Sequence, residues 1–396
     1  MQRLVIVGAS LAGLHAAQAA RAAGFDGSVT MIGAERHPPY DRLPLSKTLL
    51  VADTAMELPV FAEFGKLGVE PMFGAPATGL DVVTRNVSVG GSDVPYDALV
   101  IATGSTPAMP WPDATELGGV HALRTWEDAV AVRAALDDCA RVVIVGAGFI
   151  GGEVATAARA RGLDVTIVEL AQVPLERALG ASIGAHWSGA HERAGVTLRC
   201  GVGVGGFASI DGRLTGVELD DGSLLPADLA VLGVGAVPAT DWLRNSGLTL
   251  HQDGGIVCDE TLSAAPGVYA AGDVAWVPSS LAASGWSRTQ HWINAAEQGA
   301  LAGGNAVRPA AVAAQKLTSI PYFWTDWYGE RLQFVGVLAD DVRVIRPAAE
   351  GLIAVYLRGD RVVGAVAIEG RRHIMKLRRM ILAGTKLADV QALVVA

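Results

Sequence analysis

Cysteine is scarce. Cys139, Cys200 and Cys258 are the only three in 396 residues, too few and too scattered for a disulfide framework or a zinc site. They read as reduced thiols of a cytoplasmic protein. Charge is sparse as well: 18% of residues carry it, the net charge is −9, and no strongly basic domain stands out, which argues against a nucleic-acid partner. Nor is there a membrane-length run without interruption. The most apolar stretch, Leu4 to Ala23, contains Gly8, Gly13 and Arg21, where a strand–turn–helix needs them. A secretory leader would need a basic start and a small-residue cleavage site, whereas here a strand begins by Arg3. The expectation is a soluble protein with no membrane partner.

Apolar residues and glycine are plentiful. The apolar fraction is 51%, and the 48 glycines outnumber the 18 prolines more than twofold, favouring a large core with many tight turns over disorder. At roughly 150 residues per domain, the length suggests two or three domains.

Leu4-Val5-Ile6-Val7 has the uniformly apolar pattern of a parallel strand buried on both faces. It leads into Gly8-Ala9-Ser10-Leu11-Ala12-Gly13, an Ala-rich helical stretch, a second strand Val29-Thr30-Met31-Ile32, and Glu35, 22 residues after Gly13. This is a dinucleotide fingerprint in context. Gly8 makes the tight turn, Gly13 allows close helix–strand packing, and the helix N-terminus offers N–H groups to a pyrophosphate. Glu35 is placed to accept from ribose hydroxyls. Ser10 stands where the second glycine is usual.

A second copy follows. The strand Arg141 to Val145 leads into Gly146-Ala147-Gly148-Phe149-Ile150-Gly151, a helix, and Val165-Thr166-Ile167-Val168 ending at Glu169, 18 residues beyond Gly151. Two fingerprints 138 residues apart mean two nucleotides. A carboxylate at Glu169 suits the 2′-OH of NADH and repels the 2′-phosphate of NADPH. Leu170-Ala171-Gln172 supply no arginine to hold that phosphate, although Arg177 lies further on. NADH is the favoured nicotinamide. Two further strands end in small-residue turns, Leu99 to Thr103-Gly104 and Gly267 to Gly272-Asp273. An Asp at a strand's carboxyl end lies beside the crevice where open α/β sheets bind ligands.

With these pieces in order, the chain resembles the FAD- and NAD(P)H-dependent ferredoxin and rubredoxin reductases of the glutathione-reductase fold, the oxygenase-coupled, putidaredoxin reductase-like group. The resemblance spans nearly the whole chain. Its most specific piece is Pro38-Pro39-Tyr40-Asp41-Arg42-Leu43-Pro44-Leu45-Ser46-Lys47, supported by Leu123-Arg124-Thr125, Gly272-Asp273, Trp292-Ile293-Asn294-Ala295 and Pro321-Tyr322-Phe323-Trp324. It implies an α/β protein with two Rossmann-like dinucleotide-binding domains and a C-terminal α+β interface domain. The implied FAD domain is discontinuous (1–112 and 236–313), the NADH domain is 113–235, and the interface domain is 314–396.

By the same resemblance, Ala12 and its turn meet the FAD pyrophosphate and Glu35 its ribose. Ala77 contacts the adenine end through its backbone. Arg124 binds FAD from the linker region, Asp273 holds the ribityl or phosphate portion, and the Trp292 backbone faces the flavin's pyrimidine edge. Arg42 and Lys47 lie on the flavin side, Lys47 near the reactive nitrogen with Glu153 as its partner. Trp324 lines the nicotinamide pocket. A cation there would stabilise the reduced cofactor, and the paired carboxylate would offset the cost of burying it. Three departures stand out: Ser10, Gln290 where the family often has Glu, and Trp327 where Gln is common.

Disulfide reductases of this fold place a redox cysteine between the positions of Glu35 and Pro59, and this segment has none. Electrons are therefore expected to leave FAD directly for a diffusible acceptor, a [2Fe-2S] or other small iron–sulfur ferredoxin serving a cytochrome P450 or ring-hydroxylating oxygenase. From Gln315 onward there are 12 Lys and Arg against 8 Asp and Glu, and Arg371, Arg372, Lys376, Arg378 and Arg379 cluster on one expected helix. Such a face suits an acidic partner; a merely solvated helix face would look the same. His15, His186 and His191 are not at ligand spacing and read as structural, and Trp324 and Trp327 as packing near the cofactor. The competing expectation is a redox-signalling flavoprotein, like apoptosis-inducing factor, whose charge-transfer complex with NADH changes partner binding. The chain is expected to be a monomer or homodimer.

Overall fold

Leu4, Val5, Ile6 and Val7 are each no more than 2% exposed, as a strand covered on both faces requires. The computed structural model describes residues 1–52, 56–346 and 351–395. They divide into two compact units. The first comprises Met1–Asp41, Pro59–Thr106 and Val237–Phe323; the second comprises Arg42–Leu58, Pro107–Ala236 and Trp324–Ala396.

In the first unit the strand Arg3–Val7 lies at the heart of a six-stranded sheet, ordered Ser263–Ala265, Val268–Ala270, Ala98–Ile101, Arg3–Val7, Ser28–Gly33, Val69–Phe73. All neighbours are parallel except the first pair. Between Val69–Phe73 and Ala98–Ile101 the chain makes an antiparallel meander of Ala77–Asp81, Asn86–Val89 and Ser92–Pro95. The second unit repeats the plan. Its parallel sheet runs Thr197–Cys200, Asp164–Glu169, Arg141–Val145, Leu229–Leu232, Val120–Ala122, and its meander is Val204–Ile210, Arg213–Leu219 and Leu224–Pro226. Even the stapling is duplicated. Arg21 donates to the carbonyls of Phe25, Gly27, Leu67 and Gly68, and Arg159, at the matching helix position, donates to those of Leu163 and Ala194.

From Trp324 onward the second unit also holds a five-stranded sheet, whose strands are ordered Tyr322–Trp327, Glu330–Gly336, Arg361–Ile368, Ile353–Arg358, Asp341–Arg346. The helix Arg371–Leu382 packs on it through Ile374, Leu377 and Ile381, all fully buried. This is the mixed strand-and-helix C-terminal region expected from the sequence.

In the first unit, the helix Leu11–Ala22 packs on the helix Trp292–Ala306 at a distance only glycine permits. A Cβ on Gly299 would stand 2.2 Å from the Ala12 carbonyl oxygen, and one on Gly303 2.1 Å from that of Ala16. Gly304, on the same helix, has nothing within 4 Å of that point. Gly299→Ala is therefore expected to destabilise the protein by about 2 kcal/mol, because the clash is with backbone that cannot rotate away. Gly304→Ala should stabilise it by about 0.5 kcal/mol through helix propensity. Denaturant unfolding of the two variants, read as opposite shifts of midpoint, checks the pair.

Candidate functional site

Each unit builds the same cradle from backbone alone. Gly8 has φ +124°, and a Cβ there would lie 2.0 Å from the Ala102 carbonyl oxygen; Gly146 has φ +101° and would meet that of Gly233 at 2.4 Å. A Cβ on Gly13 would stand 1.9 Å from the Gly8 carbonyl oxygen, and one on Gly151 2.0 Å from that of Gly146. Strand, turn and helix are thus as close as polypeptide can be. Neither helix is closed by a side-chain cap from its N-cap residue, Ser10 or Gly148. The N-terminus of each points out of a glycine turn, the geometry that binds a dinucleotide pyrophosphate. The residues present fit one dinucleotide per unit.

The Ser10 departure is benign for the fold. Its backbone is extended, φ −136°, and at the matching Gly148 a Cβ would find only the Gly233 carbonyl oxygen, 3.8 Å away. Ile150 lies half-buried at the start of the helix that follows, Phe149–Ala160.

The acids are placed differently in the two copies. Gly8 N–H donates to the Ile32 carbonyl as Gly146 N–H does to that of Val168, so Gly33, not Glu35, holds the register position of Glu169. A Cβ on Gly33 would lie 2.7 Å from that of Ala9, which leaves no room for an acid there. Glu35 follows two residues on and is held by the Tyr40 hydroxyl, 2.5 Å from its Oε2. Glu169 is only 8% exposed and accepts backbone N–H bonds from Ala147 (2.7 Å) and Ala171 (2.8 Å).

Around the first cradle the unit gathers several expected residues. A Cβ on Gly272 (φ +79°) would lie 3.3 Å from that of Ala12, which puts the Gly272-Asp273 turn beside the helix start. Gly272 N–H donates to Gln298, and Ser105 Oγ donates to Asp273 Oδ2 at 2.8 Å. Thr103 Oγ1 donates to the Ala239 carbonyl, whose own N–H returns to Gly104. Trp292 opens the helix Trp292–Ala306 and donates its indole N–H to Asp41. The neighbouring His291 is pushed down to about 4 by burial, despite the opposing charge of Asp273. Ala77 sits apart in the meander, paired with Val89.

The second unit gathers the rest. The segment Arg42–Leu58 packs with it and carries the Pro-Leu-Ser-Lys motif. Arg161 donates twice to the Leu50 carbonyl, Arg133 donates to that of Ala52, and Arg42 donates to that of Arg124. Glu153, 7% exposed in the helix Phe149–Ala160, receives three donors: Ser46 Oγ, Lys47 Nζ and Thr325 Oγ1, the last at 2.7 Å. Sequence reasoning found the Lys47–Glu153 pair and missed Ser46 and Thr325. Ser46 was visible beside Lys47 in the motif, whereas Thr325, 172 residues from Glu153, left no local signal. Trp324 is half-buried on the opposite side of its strand from Thr325. Trp327 is fully buried, lies directly on Gly152, and packs at 4.8 Å on Trp187 and 5.2 Å on His191. It supports the helix that carries Glu153. Gln290 is exposed.

Two family models cover almost all of the chain: "pyridine nucleotide-disulphide oxidoreductase" over residues 2–299 and "reductase C-terminal" over 322–393. The chain belongs to the pyridine nucleotide-disulphide oxidoreductase family. It is 34% identical to rhodocoxin reductase of Rhodococcus erythropolis, covering 98% of this chain and 91% of that one. It is 36% identical to the benzene 1,2-dioxygenase system ferredoxin–NAD(+) reductase subunit of Pseudomonas putida, covering 98% and 95%. Among solved structures, the covalent putidaredoxin reductase–putidaredoxin complex matches with a TM-score of 0.89 at 30% identity, over 97% of this chain and 93% of that one.

Pyridine nucleotide-disulphide oxidoreductases use a flavin with a pyridine nucleotide, and the two cradles agree with that pairing. The disulphide of the family name has no counterpart here. All three cysteines are free thiols. Burial pushes Cys139 and Cys200 up to about 11 and Cys258 up to about 12, so none is a thiolate at neutral pH. Among the described residues no cluster could hold a metal ion, and no helix is long and apolar enough to cross a membrane.

Proposed function

We propose that this chain is an NADH-dependent ferredoxin reductase of an oxygenase system, taking two electrons from NADH and delivering them singly to a small iron–sulfur ferredoxin that serves a cytochrome P450 or ring-hydroxylating oxygenase. The observation that carries the reading is the pair of dinucleotide cradles in a chain whose only thiols are protonated and unpaired. The resemblance to a ferredoxin–NAD(+) reductase subunit of a dioxygenase system and to putidaredoxin reductase supports it. FAD, once bound, supplies the conversion between two-electron and one-electron transfer.

Gly8, Ser10, Ala12, Gly13, Glu35, Ala77, Thr103, Gly104, Gly272, Asp273 and Trp292 are proposed to hold FAD. Gly146, Gly148, Ile150, Gly151 and Glu169 are proposed to hold NADH, with Trp324 lining the nicotinamide pocket. A buried carboxylate at Glu169, fixed by two N–H groups, accepts from a 2′-OH and repels a 2′-phosphate, which favours NADH over NADPH. Arg42 and Arg124 remain proposed cofactor ligands. Lys47, with Glu153 as counter-ion, is proposed to supply the positive charge that favours electron transfer to the cofactor. The proposed division into FAD, NADH and interface domains keeps the boundaries given by the sequence. A reducing, cytoplasmic setting is proposed, in keeping with three cysteines that form no disulfide.

The ferredoxin is proposed to dock on the helix Arg371–Leu382, where Arg372, Lys376 and Arg379 are exposed and Arg378 is half-buried. The Arg371 side chain lies outside the described residues. A face of this kind raises encounter rates with an acidic partner and is screened by salt.

Two outcomes check the proposal. Lys47→Ala should slow flavin reduction by NADH, followed in stopped flow, at least about tenfold while FAD stays bound; unchanged kinetics contradict the role of Lys47. Reversing Lys376 and Arg379 to Glu should lower NADH-dependent ferredoxin reduction and its salt dependence, leaving NADH–ferricyanide turnover intact. Equal loss in both assays removes the docking role.

A further inference from the structure

Arg288 belongs to no nucleotide motif, yet the fold brings it to the Gly272-Asp273 turn. Asp273 is followed closely by the strand Ala275–Pro278, and Trp286–Ser287 returns antiparallel to it, pairing Val277 with Ser287 and Pro278 with Trp286. The next residue is Arg288. Its guanidinium donates to the Asp273 carbonyl at 3.0 Å, and its Nε donates to Asp253 Oδ2 at 2.8 Å. Only 12% of the Arg288 side chain is exposed. A desolvated guanidinium needs a counter-charge, and Asp253 provides it. Burial pushes the Asp253 carboxyl up, but the Gly255 N–H, Arg288 and His251 outweigh it and hold the group at about 2. His251 in turn stacks face to face on Trp276, 3.8 Å between rings. With its charge matched on the spot, Arg288 contributes geometry to the turn rather than net charge.

The other anchors complete the arrangement. Ser105 Oγ holds the Asp273 carboxylate at 2.8 Å, and Gln298, 1% exposed, accepts the Gly272 N–H at 2.9 Å. Amide, carboxylate and carbonyl of one two-residue turn are each tied to a different segment of the first unit. That is more restraint than a turn at φ +79° needs to form, and it fixes where the carboxylate points.

We propose that Arg288 and Ser105 are positioning residues for Asp273, setting the orientation in which this turn holds the ribityl or phosphate portion of the flavin nucleotide. The inference rests on the FAD reading of the first unit. Three full-length variants test it: Asp273→Ala, Arg288→Lys, which keeps the charge but loses the fork that spans both acceptors, and Ser105→Ala. The readouts are the FAD dissociation constant, the absorption spectrum and midpoint potential of the bound flavin, and NADH affinity as a control on the second unit.

Asp273→Ala should weaken FAD binding on the order of tenfold to hundredfold. Arg288→Lys should weaken it about tenfold and Ser105→Ala about fivefold, both with a shifted flavin spectrum and potential and with NADH affinity unchanged. If Asp273→Ala weakens FAD while the other two leave constant, spectrum and potential as in the parent, the positioning role is overturned. If Asp273→Ala itself binds FAD like the parent, the FAD reading of this turn fails instead. Should Arg288→Lys not fold, Ser105→Ala, which removes one hydroxyl, carries the decision by the same readouts.

Discussion

The contact between backbone and backbone at the two glycine turns is the constraint from which the rest follows. At Gly13 and Gly151 a single added carbon would stand about 2 Å from a carbonyl oxygen, so no side chain but hydrogen is possible. That closeness presses each helix against its strand and aims the helix N-terminus out of the turn. The apolar parallel strands, the meanders and the paired arginine staples hold this one geometry twice. The helix Trp292–Ala306 applies the same rule from the other side in the first unit, using Gly299 and Gly303 to reach the backbone of Leu11–Ala22.

From equivalent beginnings the two cradles diverge by small steps. In the first, Ala9 excludes a side chain at Gly33, and the acid moves on to Glu35 under the Tyr40 hydroxyl. In the second, Glu169 occupies the register position itself, locked by two amides. The first adds the Asp273 turn, braced by Ser105, Gln298 and Arg288. The second adds a carboxylate, Glu153, with three donors on it, one of them Lys47. A buried carboxylate satisfied to this degree keeps its ion pair at fixed geometry: losing Lys47 would leave its charge uncompensated, and losing Ser46 or Thr325 would leave a buried lone pair unpaired.

Much of this was legible in the sequence because its cause is local. Strand, glycine spacing, helix and acid lie within 30 or so residues and obey sterics that one segment decides. Lys47 and Glu153 could be paired only through the family resemblance. What escaped was non-local. Thr325 reaches Glu153 across 172 residues, and Arg288 meets Asp273 only because a short hairpin turns the chain back. The packing of Arg42–Leu58 with the second unit depends on Arg133 and Arg161 seeking carbonyls of Ala52 and Leu50, which no periodicity encodes. Even the Trp327 departure becomes intelligible only beside Gly152, whose missing side chain makes room for the indole.

That electrons leave this flavoprotein without passing through a thiol is tested most directly by removing every thiol. The variant Cys139→Ala, Cys200→Ala, Cys258→Ala, loaded with FAD, should reduce a [2Fe-2S] ferredoxin from NADH at a rate within about twofold of the parent, because cysteines protonated to about 11 and 12 take no part in the transfer. Loss of ferredoxin reduction in a variant that still binds FAD and is still reduced by NADH would contradict the direct route.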